Sequence, residues 1–306
     1  MWQSPCNEGI PTGLSPLGMT KEWGGIMKAD CHMHMVLDGA YWKAAIARHS
    51  EKPDEVFIRK TLTRYQELGY DYLRDGGDRW GVGAKARELA TEYAITYRTP
   101  LAPICHRGHY GEFIGVSYEN LNEYAELVVN TRKNGGNFIK IMISGLMDFD
   151  RYGVLTQPGL DPKEIKELIH IAHQEGMAVM AHANGADTVL AAASAGVDSV
   201  EHGAYLGEEA LAAMAERGTV WVPTLSTIGN LQGKGRFPDH ETARILESAL
   251  LNVEKFRNMG GILSAGTDAG AWAVPHGAQT EESYLAKAGV TETDLEKGLA
   301  IIKEKF

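Results

Sequence analysis

The sequence predicts an α/β fold of the (β/α)8 TIM barrel type, and three observations lead to that fold class. Short apolar runs rich in β-branched residues alternate with longer segments of helical periodicity along most of the 306 residues. There are eight such runs, the number of strands in this barrel. Several of them end in a histidine or an aspartate, where barrel enzymes carry their functional side chains. The predicted strands lie at 26–34, 70–75, 100–106, 137–144, 177–182, 197–202, 219–225 and 261–267.

The segments between the runs have the signals of helices. The stretch DPKEIKELIHIAHQEG at 161–176 places Pro162 in the first turn and Gly176 just past the predicted end. PDEVFIRKTLTRYQELG at 53–69 fills the gap after the first strand in the same way. A doubly wound open sheet is the competing architecture, but no glycine-rich dinucleotide fingerprint follows the first strand.

The composition of the chain is typical of a soluble globular protein. Residues 1–25 read as an N-terminal extension rich in glycine and proline, and 26–306 as the barrel domain. Hydrophobic residues make up 44% of the chain, and a net charge of −10 disfavours a nucleic-acid or membrane partner. Three cysteines without metal-type spacing, and no signal-peptide pattern, favour the cytoplasm. A homo-oligomer is compatible with the sequence.

The stretch DCHMH at 30–34 contains the first candidate ligands. His32 and His34 are two residues apart in a predicted strand, so both imidazoles project from the same face. The alternative to metal ligation, for an isolated pair of this kind, is that both histidines are satisfied by local hydrogen bonds.

Lys140 lies within the fourth predicted strand, FIKIMI. Strand alternation sends Ile139 and Ile141 towards the helices and Lys140 into the barrel. A lone buried ammonium is costly, so this side chain is expected to be paired, neutral or modified. The alternative for Lys140 is an internal ion pair with Asp30 or Glu201.

Three further polar residues end predicted strands. His182 ends the fifth, His202 the sixth and Asp268 the eighth. Imidazole nitrogens and carboxylate oxygens without cysteine are ligands of zinc and related divalent ions, and they leave positions open for water and substrate. The sequence therefore predicts a catalytic metal site at the carboxyl ends of the strands.

With these motifs the chain resembles the amidohydrolase superfamily, and within it the imidazolonepropionase-like and metal-dependent prolidase-like branch. The resemblance runs from about 29 to 289 and is carried by DCHMH, FIKIMISG, VMAHANG, VEHGAYL and SAGTDAG. It implies that His32, His34 and Asp268 bind a first divalent ion, and that His182 and His202 bind a second. It also implies that a carbamate formed from carbon dioxide on Lys140 bridges the two ions, with zinc as the expected metal.

Two departures from the family pattern are visible. Little chain precedes His32 or follows Asp268, so the accessory β-sandwich domain of many relatives is expected to be absent. Gly145-Leu146 stands where relatives often have two glycines after the lysine strand. Loop shape and substrate choice are the properties that these departures affect.

The function predicted from these residues is hydrolysis of an amide-type C–N bond by a hydroxide that bridges the two metals. Asp268 would carry the proton to the leaving nitrogen. The substrate would be a cyclic amide, an N-acyl amino acid or a dipeptide-like molecule. Hydrolysis of a lactone, ester or phosphotriester at the same centre, and a non-catalytic metal- or ligand-binding barrel, are the alternatives.

Other residues are candidates for substrate contacts or for a lid. The glycine-rich segment 228–240 is either a lid over the site or an ordinary surface loop. Arg107, Arg151 and Tyr152 are weaker candidates for binding a substrate carboxylate, since surface pairing is the usual role of such arginines. The predicted substrate-binding residues are His106, His109, Tyr205 and His276.

Overall fold

A computed structural model describes residues 28–306. The predicted N-terminal extension at 1–25 lies outside the described residues. Every pairing between named strands in the described part is parallel, and helices follow all the strands except β3 and β4. The strands are β1 (Lys28–Met33), β2 (Tyr70–Asp75), β3 (Thr96–Arg98), β4 (Ile104–His106), β5 (Val116–Tyr118), β6 (Ile139–Met142), β7 (Val179–Ala183), β8 (Ser199–His202), β9 (Val220–Val222) and β10 (Ile262–Leu263).

The helices begin where the sequence supplies caps. Asp54 accepts hydrogen bonds from Val56 N and Phe57 N at the start of the helix Glu55–Glu67, and Asp161 accepts one from Lys163 N at the start of the helix Pro162–Gln174. The helices predicted at 53–69 and 161–176 are confirmed. The helices are α1 (Trp42–Arg48), α2 (Glu55–Glu67), α3 (Val82–Ala90), α4 (Leu121–Lys133), α5 (Pro162–Gln174), α6 (Ala186–Ser194), α7 (Glu208–Arg217), α8 (Ser226–Gly229), α9 (Asp239–Asn258), α10 (Thr280–Lys287) and α11 (Glu292–Lys305).

The strands form two sheets that together give a TIM-barrel-like α/β fold. One sheet has the order β1-β2-β3, and the other has the order β10-β9-β8-β7-β6-β4-β5. Hydrogen bonds from Cys31 N to Ala265 O (2.9 Å) and from Asp268 N to His32 O (2.6 Å) join β1 to the segment that follows β10. The predicted fold class is thus confirmed, and the first and last strands lie side by side.

The third predicted strand differs from expectation. The run at 100–106 is broken, because Pro100 and Pro103 have no N–H to donate and Leu101 adopts a left-handed backbone with φ 67°. The chain instead forms β3 before the break and β4 after it, in different sheets, and β5 adds a further short strand. Thr99 O accepts a hydrogen bond from Asn137 N (2.9 Å), which connects the end of β3 to the start of β6.

Packing separates the two faces of the strands. The isoleucines of β6 are buried against the helices in the largest apolar cluster, whereas Lys140 is buried on the inner face, as the alternation predicts. No second sheet domain occurs within residues 28–306, where all named strands belong to these two sheets. In the same part of the chain, no helix is both long and apolar enough to cross a lipid bilayer.

Candidate metal centre

The six predicted metal-binding residues meet at the carboxyl ends of the strands. They come from β1 and the residue that follows it, from β6, β7 and β8, and from the segment after β10. All of them line one cavity of about 560 Å³. Register explains part of this arrangement, because Met142 pairs with His182 and Ala183 pairs with His202 in neighbouring parallel strands. The six residues are His32, His34, Lys140, His182, His202 and Asp268.

The Asp268 carboxylate lies among three of the imidazoles. Its Oδ1 is 3.4 Å from His34 Nε2 and 3.6 Å from His32 Nε2, and its Oδ2 is 4.0 Å from His202 Nδ1. The ring centroids of His182 and His202 are 4.5 Å apart. Possible ligand atoms of His32, His202 and Asp268 all lie within 4.8 Å of one another, which is close enough for one ion to contact all three.

Three buried nitrogens of this cluster have no hydrogen-bond partner. They are His32 Nε2, His34 Nδ1 and Lys140 Nζ. Leaving a buried polar atom unpaired costs about 1–3 kcal/mol, so such atoms normally have a partner. Coordination of a cation by the imidazoles, and a modification of the amine, would satisfy these atoms. The donor set therefore fits a metal centre.

Burial keeps the imidazoles neutral. Desolvation, followed by the charge of Lys140, lowers the pKa of His34 and of His182 to about 3. Desolvation also holds the pKa values of His32 and His202 well below the ordinary value. Neutral imidazole is the form that binds a metal, and these histidines hold it at neutral pH.

Burial acts on the lysine and the aspartate in opposite directions. It lowers the pKa of Lys140 and raises the pKa of Asp268, because desolvation disfavours the charged form of each group. Asp30 and Glu201 do not pair with the amine. Asp30 accepts hydrogen bonds from Thr267 N and Oγ1, and Glu201 pairs with Arg74.

A buried ion pair beneath the cluster orients His32. The His32 Nδ1–H donates to Glu201 Oε2 (2.7 Å), which leaves Nε2 free to act as a ligand. Glu201 Oε1 accepts hydrogen bonds from Arg74 Nη2 (2.9 Å) and from Ser199 Oγ (2.6 Å). Arg74 Nε also donates to Cys31 O (2.7 Å). Arg74 was not predicted, although an arginine inside the predicted strand YDYLRD was a usable signal.

Thr224 and Asn184 orient the second pair of histidines. Thr224 Oγ1 is 2.7 Å from His202 Nδ1, so Nε2 of that ring is available as a ligand atom. His182 Nε2 donates to Gly145 O (3.2 Å), which also accepts a hydrogen bond from Asn184 Nδ2 (3.0 Å). Neither Thr224 nor Asn184 was predicted, because their role depends on loops whose paths the strand pattern does not specify.

The backbone is strained at these strand ends. His202, Thr224 and Asp268 have φ values of 68°, 51° and 55°, in the left-handed region that non-glycine residues rarely adopt. Each such residue costs on the order of 1–3 kcal/mol, and such residues cluster at functional sites.

Aromatic side chains form the walls of the cavity above the cluster. Tyr110 packs on His182 with ring centroids 4.7 Å apart, and the guanidinium of Arg236 lies over the Trp272 ring. Lys140 and Arg236 are the two lysine or arginine side chains lining the cavity among the described residues. The aromatic lining consists of Tyr41, Trp42, Tyr110, Phe113, Phe149, Phe237 and Trp272.

The four predicted substrate-binding residues lie elsewhere. His106 and His109 pack against each other with centroids 5.2 Å apart, and Tyr205 packs against Tyr152. His276 Nε2 lies 2.9 Å from Leu37 O, and burial lowers the pKa of His276 to about 4. None of the four lines the cavity described above.

The weaker arginine candidates are occupied by neighbouring carboxylates. Arg107 pairs with Glu119, and Arg151 pairs with Asp148. Neither lines the cavity.

Functional side chains at the carboxyl ends of parallel strands are typical of α/β-barrel enzymes. Residues 93–293 match the model of the Amidohydrolase family, and the chain belongs to this family. The predicted resemblance to the amidohydrolase superfamily is thereby confirmed.

Curated relatives share moderate identity over part of their length. An uncharacterized protein of Mycobacterium tuberculosis is 29% identical over 183 residues, which is 58% of this chain and 48% of that protein. Ochratoxinase of Aspergillus niger is 27% identical over 233 residues, which is 65% of this chain and 47% of that enzyme. The chain thus spans about half the length of these relatives.

Solved structures share the fold. A Xaa-Pro dipeptidase with bound methionine superposes with a TM-score of 0.71 at 22% identity, covering 90% of this chain and 75% of that one. The structure of A. niger ochratoxinase superposes with a TM-score of 0.71 at 21% identity, covering 90% of this chain and 69% of that one.

Proposed function

We propose that the chain is a metal-dependent amidohydrolase that cleaves the amide C–N bond of an N-acyl amino acid or a dipeptide-like molecule. The observation that carries this proposal is the cluster of four neutral histidines, three of which surround Asp268, beside a buried lysine amine with no hydrogen-bond partner. The relatives add support, since a dipeptidase and an ochratoxinase share the fold.

Two divalent ions are proposed for this centre, with zinc as the expected element. His32, His34 and Asp268 would hold the first ion, and His182 and His202 the second. Lys140 would bridge them as a carbamate, because only a neutral amine reacts with carbon dioxide and burial lowers the pKa of this amine. When bound, the ions would polarise the substrate carbonyl and lower the pKa of the attacking water.

Asp268 is the proposed proton carrier. One of its oxygens faces His32 and His34 while the other faces His202, so the carboxylate spans the positions assigned to both ions. From there it can accept the proton of the attacking water and deliver it to the leaving nitrogen. The surrounding structure holds Asp268 in a left-handed backbone with a φ of 55°, which sets the direction of its carboxylate, and aromatic side chains line the cavity around it.

The test is hydrolysis by protein of measured metal content. The panel contains N-acyl amino acids, dipeptides, hydantoin-like rings, lactones and esters, with each amide matched to an ester of the same apolar group. Turnover of amides by protein holding two ions per chain is the expected result. Turnover of esters or lactones alone would show that the scissile bond is a C–O bond. No turnover at full metal content would indicate a barrel that binds a metal or ligand without catalysis.

The lysine has a test of its own. Lys140→Ala should lose the second ion and most activity, with partial recovery in a short carboxylic acid that replaces the carbamate. The matched control is Lys163→Ala, which removes an exposed lysine of α5. Full two-ion binding by Lys140→Ala without any added acid would contradict the bridging role.

A further inference from the structure

The cavity has an unpaired cation at its rim. Arg236 lines the cavity, and its guanidinium carbon is 4.6 Å from the ring centroid of Trp272 and 5.2 Å from that of Phe237. It forms no ion pair with a carboxylate among residues 28–306, unlike Arg107 and Arg151. Asp268 is the one acidic residue of the cavity lining, and it belongs to the metal cluster. The exposed guanidinium is therefore available to pair with an anion that enters the cavity.

The surrounding rings hold the guanidinium in place. Phe237 packs edge-on against Trp272 at 6.3 Å and tilted against Phe149 at 5.2 Å. A guanidinium stacked on aromatic faces keeps its N–H donors directed outward in its own plane. Such a fork matches the two oxygens of a carboxylate. The same rings offer an apolar surface to a group next to that carboxylate.

The loop that carries Arg236 forms one wall of the cavity. It runs from the end of α8 to the start of α9, with Gly233 and Gly235 at φ values of 71° and 69°. Gly233 N donates to Asp239 Oδ1 (2.8 Å), which ties the loop to the first residue of α9. Leu231, Arg236 and Phe237 then line the cavity. The segment predicted as a lid or a surface loop thus forms part of the cavity wall.

From this arrangement we infer that Arg236 binds the free carboxylate of the substrate and that the Phe149–Phe237–Trp272 wall binds an apolar side chain beside it. The inference rests on the proposed function for the identity of the scissile bond. It narrows the substrate class to N-acyl amino acids and dipeptides with an apolar or aromatic residue at the free carboxyl end. Uncharged amides and cyclic amides would be poor substrates.

The test uses two probes without a cleavable bond, 3-phenylpropionate and neutral 3-phenylpropanol, titrated calorimetrically into metal-loaded protein. Arg236→Ala should weaken binding of the carboxylate about tenfold to hundredfold, the range for a charged hydrogen bond, and change binding of the alcohol by less than about twofold. Arg236→Lys should bind the carboxylate with an affinity between those of wild type and Arg236→Ala. Lys234→Ala is the matched control, because it removes an exposed cation of the same loop that does not line the cavity.

Turnover provides the second readout. For any N-acyl amino acid hydrolysed in the panel above, Arg236→Ala should raise KM about tenfold or more for the free acid while leaving the matching carboxyl-terminal amide nearly unchanged. Equal binding of 3-phenylpropionate to wild type and Arg236→Ala, or no measurable binding to wild type, would overturn the inference. Absence of amide hydrolysis together with Arg236-dependent binding would overturn the proposed function and retain the carboxylate site.

Discussion

The two ends of the barrel-like fold differ in how they treat buried polar groups. At the carboxyl ends of the strands, His32 Nε2 and Lys140 Nζ are buried without hydrogen bonds. At the amino end of β8, the Asp198 carboxylate accepts hydrogen bonds from Val179 N (2.9 Å) and Lys305 Nζ (2.7 Å), and its Oδ2 lies 2.8 Å from His173 Nε2. The unpaired nitrogens at the carboxyl ends are available to a ligand, whereas the Asp198 carboxylate joins β7 and β8 to α5 and α11.

Backbone conformation follows the same division. Three residues of the candidate centre or its support have left-handed backbones, and they end or follow β8, β9 and β10. Folding energy from the remainder of the molecule must offset this strain. The comparison therefore predicts that substitutions in the candidate centre and its support change metal binding or turnover, with or without an effect on stability. Substitutions in the Asp198 network should change stability alone.

The largest effect is expected for Asp268→Asn. This change keeps the size of the side chain and one oxygen but removes the base, so kcat for amide substrates should fall about a hundredfold to ten-thousandfold. Metal content measured on the same samples should stay near the wild-type value. Near-normal turnover with metal bound would show that another group carries the proton.

Glu201→Gln tests the buried pair beneath the cluster. Because it leaves the Arg74 guanidinium buried without a counter-charge, the free energy of unfolding should fall by about 3–5 kcal/mol. The variant also lacks the carboxylate charge that orients the His32 ring, so metal affinity should fall about tenfold to a hundredfold. Denaturant unfolding and metal titration measure the two effects. The double change Glu201→Met with Arg74→Met should recover stability but not metal affinity.

Lys140→Met separates function from stability. In metal-free protein it replaces an unpaired buried amine with an apolar side chain of similar length, so the free energy of unfolding should rise by up to about 4 kcal/mol. Two-ion binding should be lost in the same variant. A metal-free Lys140→Met protein less stable than wild type would show that the amine has a stabilising partner in solution.

The smallest effect is expected at the opposite end. Burial favours the protonated form of Asp198, but the hydrogen bonds from His173, Lys305 and Val179 N outweigh it and lower the pKa of this carboxyl below its ordinary value of 3.8. A lowered pKa stabilises the fold above the ordinary value, and this contribution is lost as pH falls through the folded-state value. Asp198→Asn should cost about 1–3 kcal/mol at neutral pH.

Two measurements on Asp198→Asn serve as controls for this prediction: the pH dependence of its stability, and its metal content and kcat. The stability difference between wild type and Asp198→Asn should shrink as the pH falls below about 4, where the carboxylate becomes protonated in the unfolded chain. Metal content and kcat should be unchanged. A loss of metal from Asp198→Asn would contradict the division between the two ends.

Much of the fold was predictable from sequence because its strands and helices have strong local signals. Alternation at 139–143 placed Lys140 on the inner face, and caps such as Asp161-Pro162 marked helix starts. The break at Pro100 and Pro103 was harder to recognise, since an apolar run containing proline resembles one strand until its hydrogen-bond partners are known.

The sequence by itself determined which residues could serve as metal ligands, because parity and strand ends are local properties of the chain. Tertiary structure alone decided what surrounds them. Arg74 meets Glu201 across 127 positions, Thr224 reaches His202 from the next strand end, and Arg236 reaches Trp272 from another loop. These contacts join segments whose loop paths no short-range pattern specifies. For the same reason, His276 followed a strand end in sequence but packs behind the cavity wall, against Leu37.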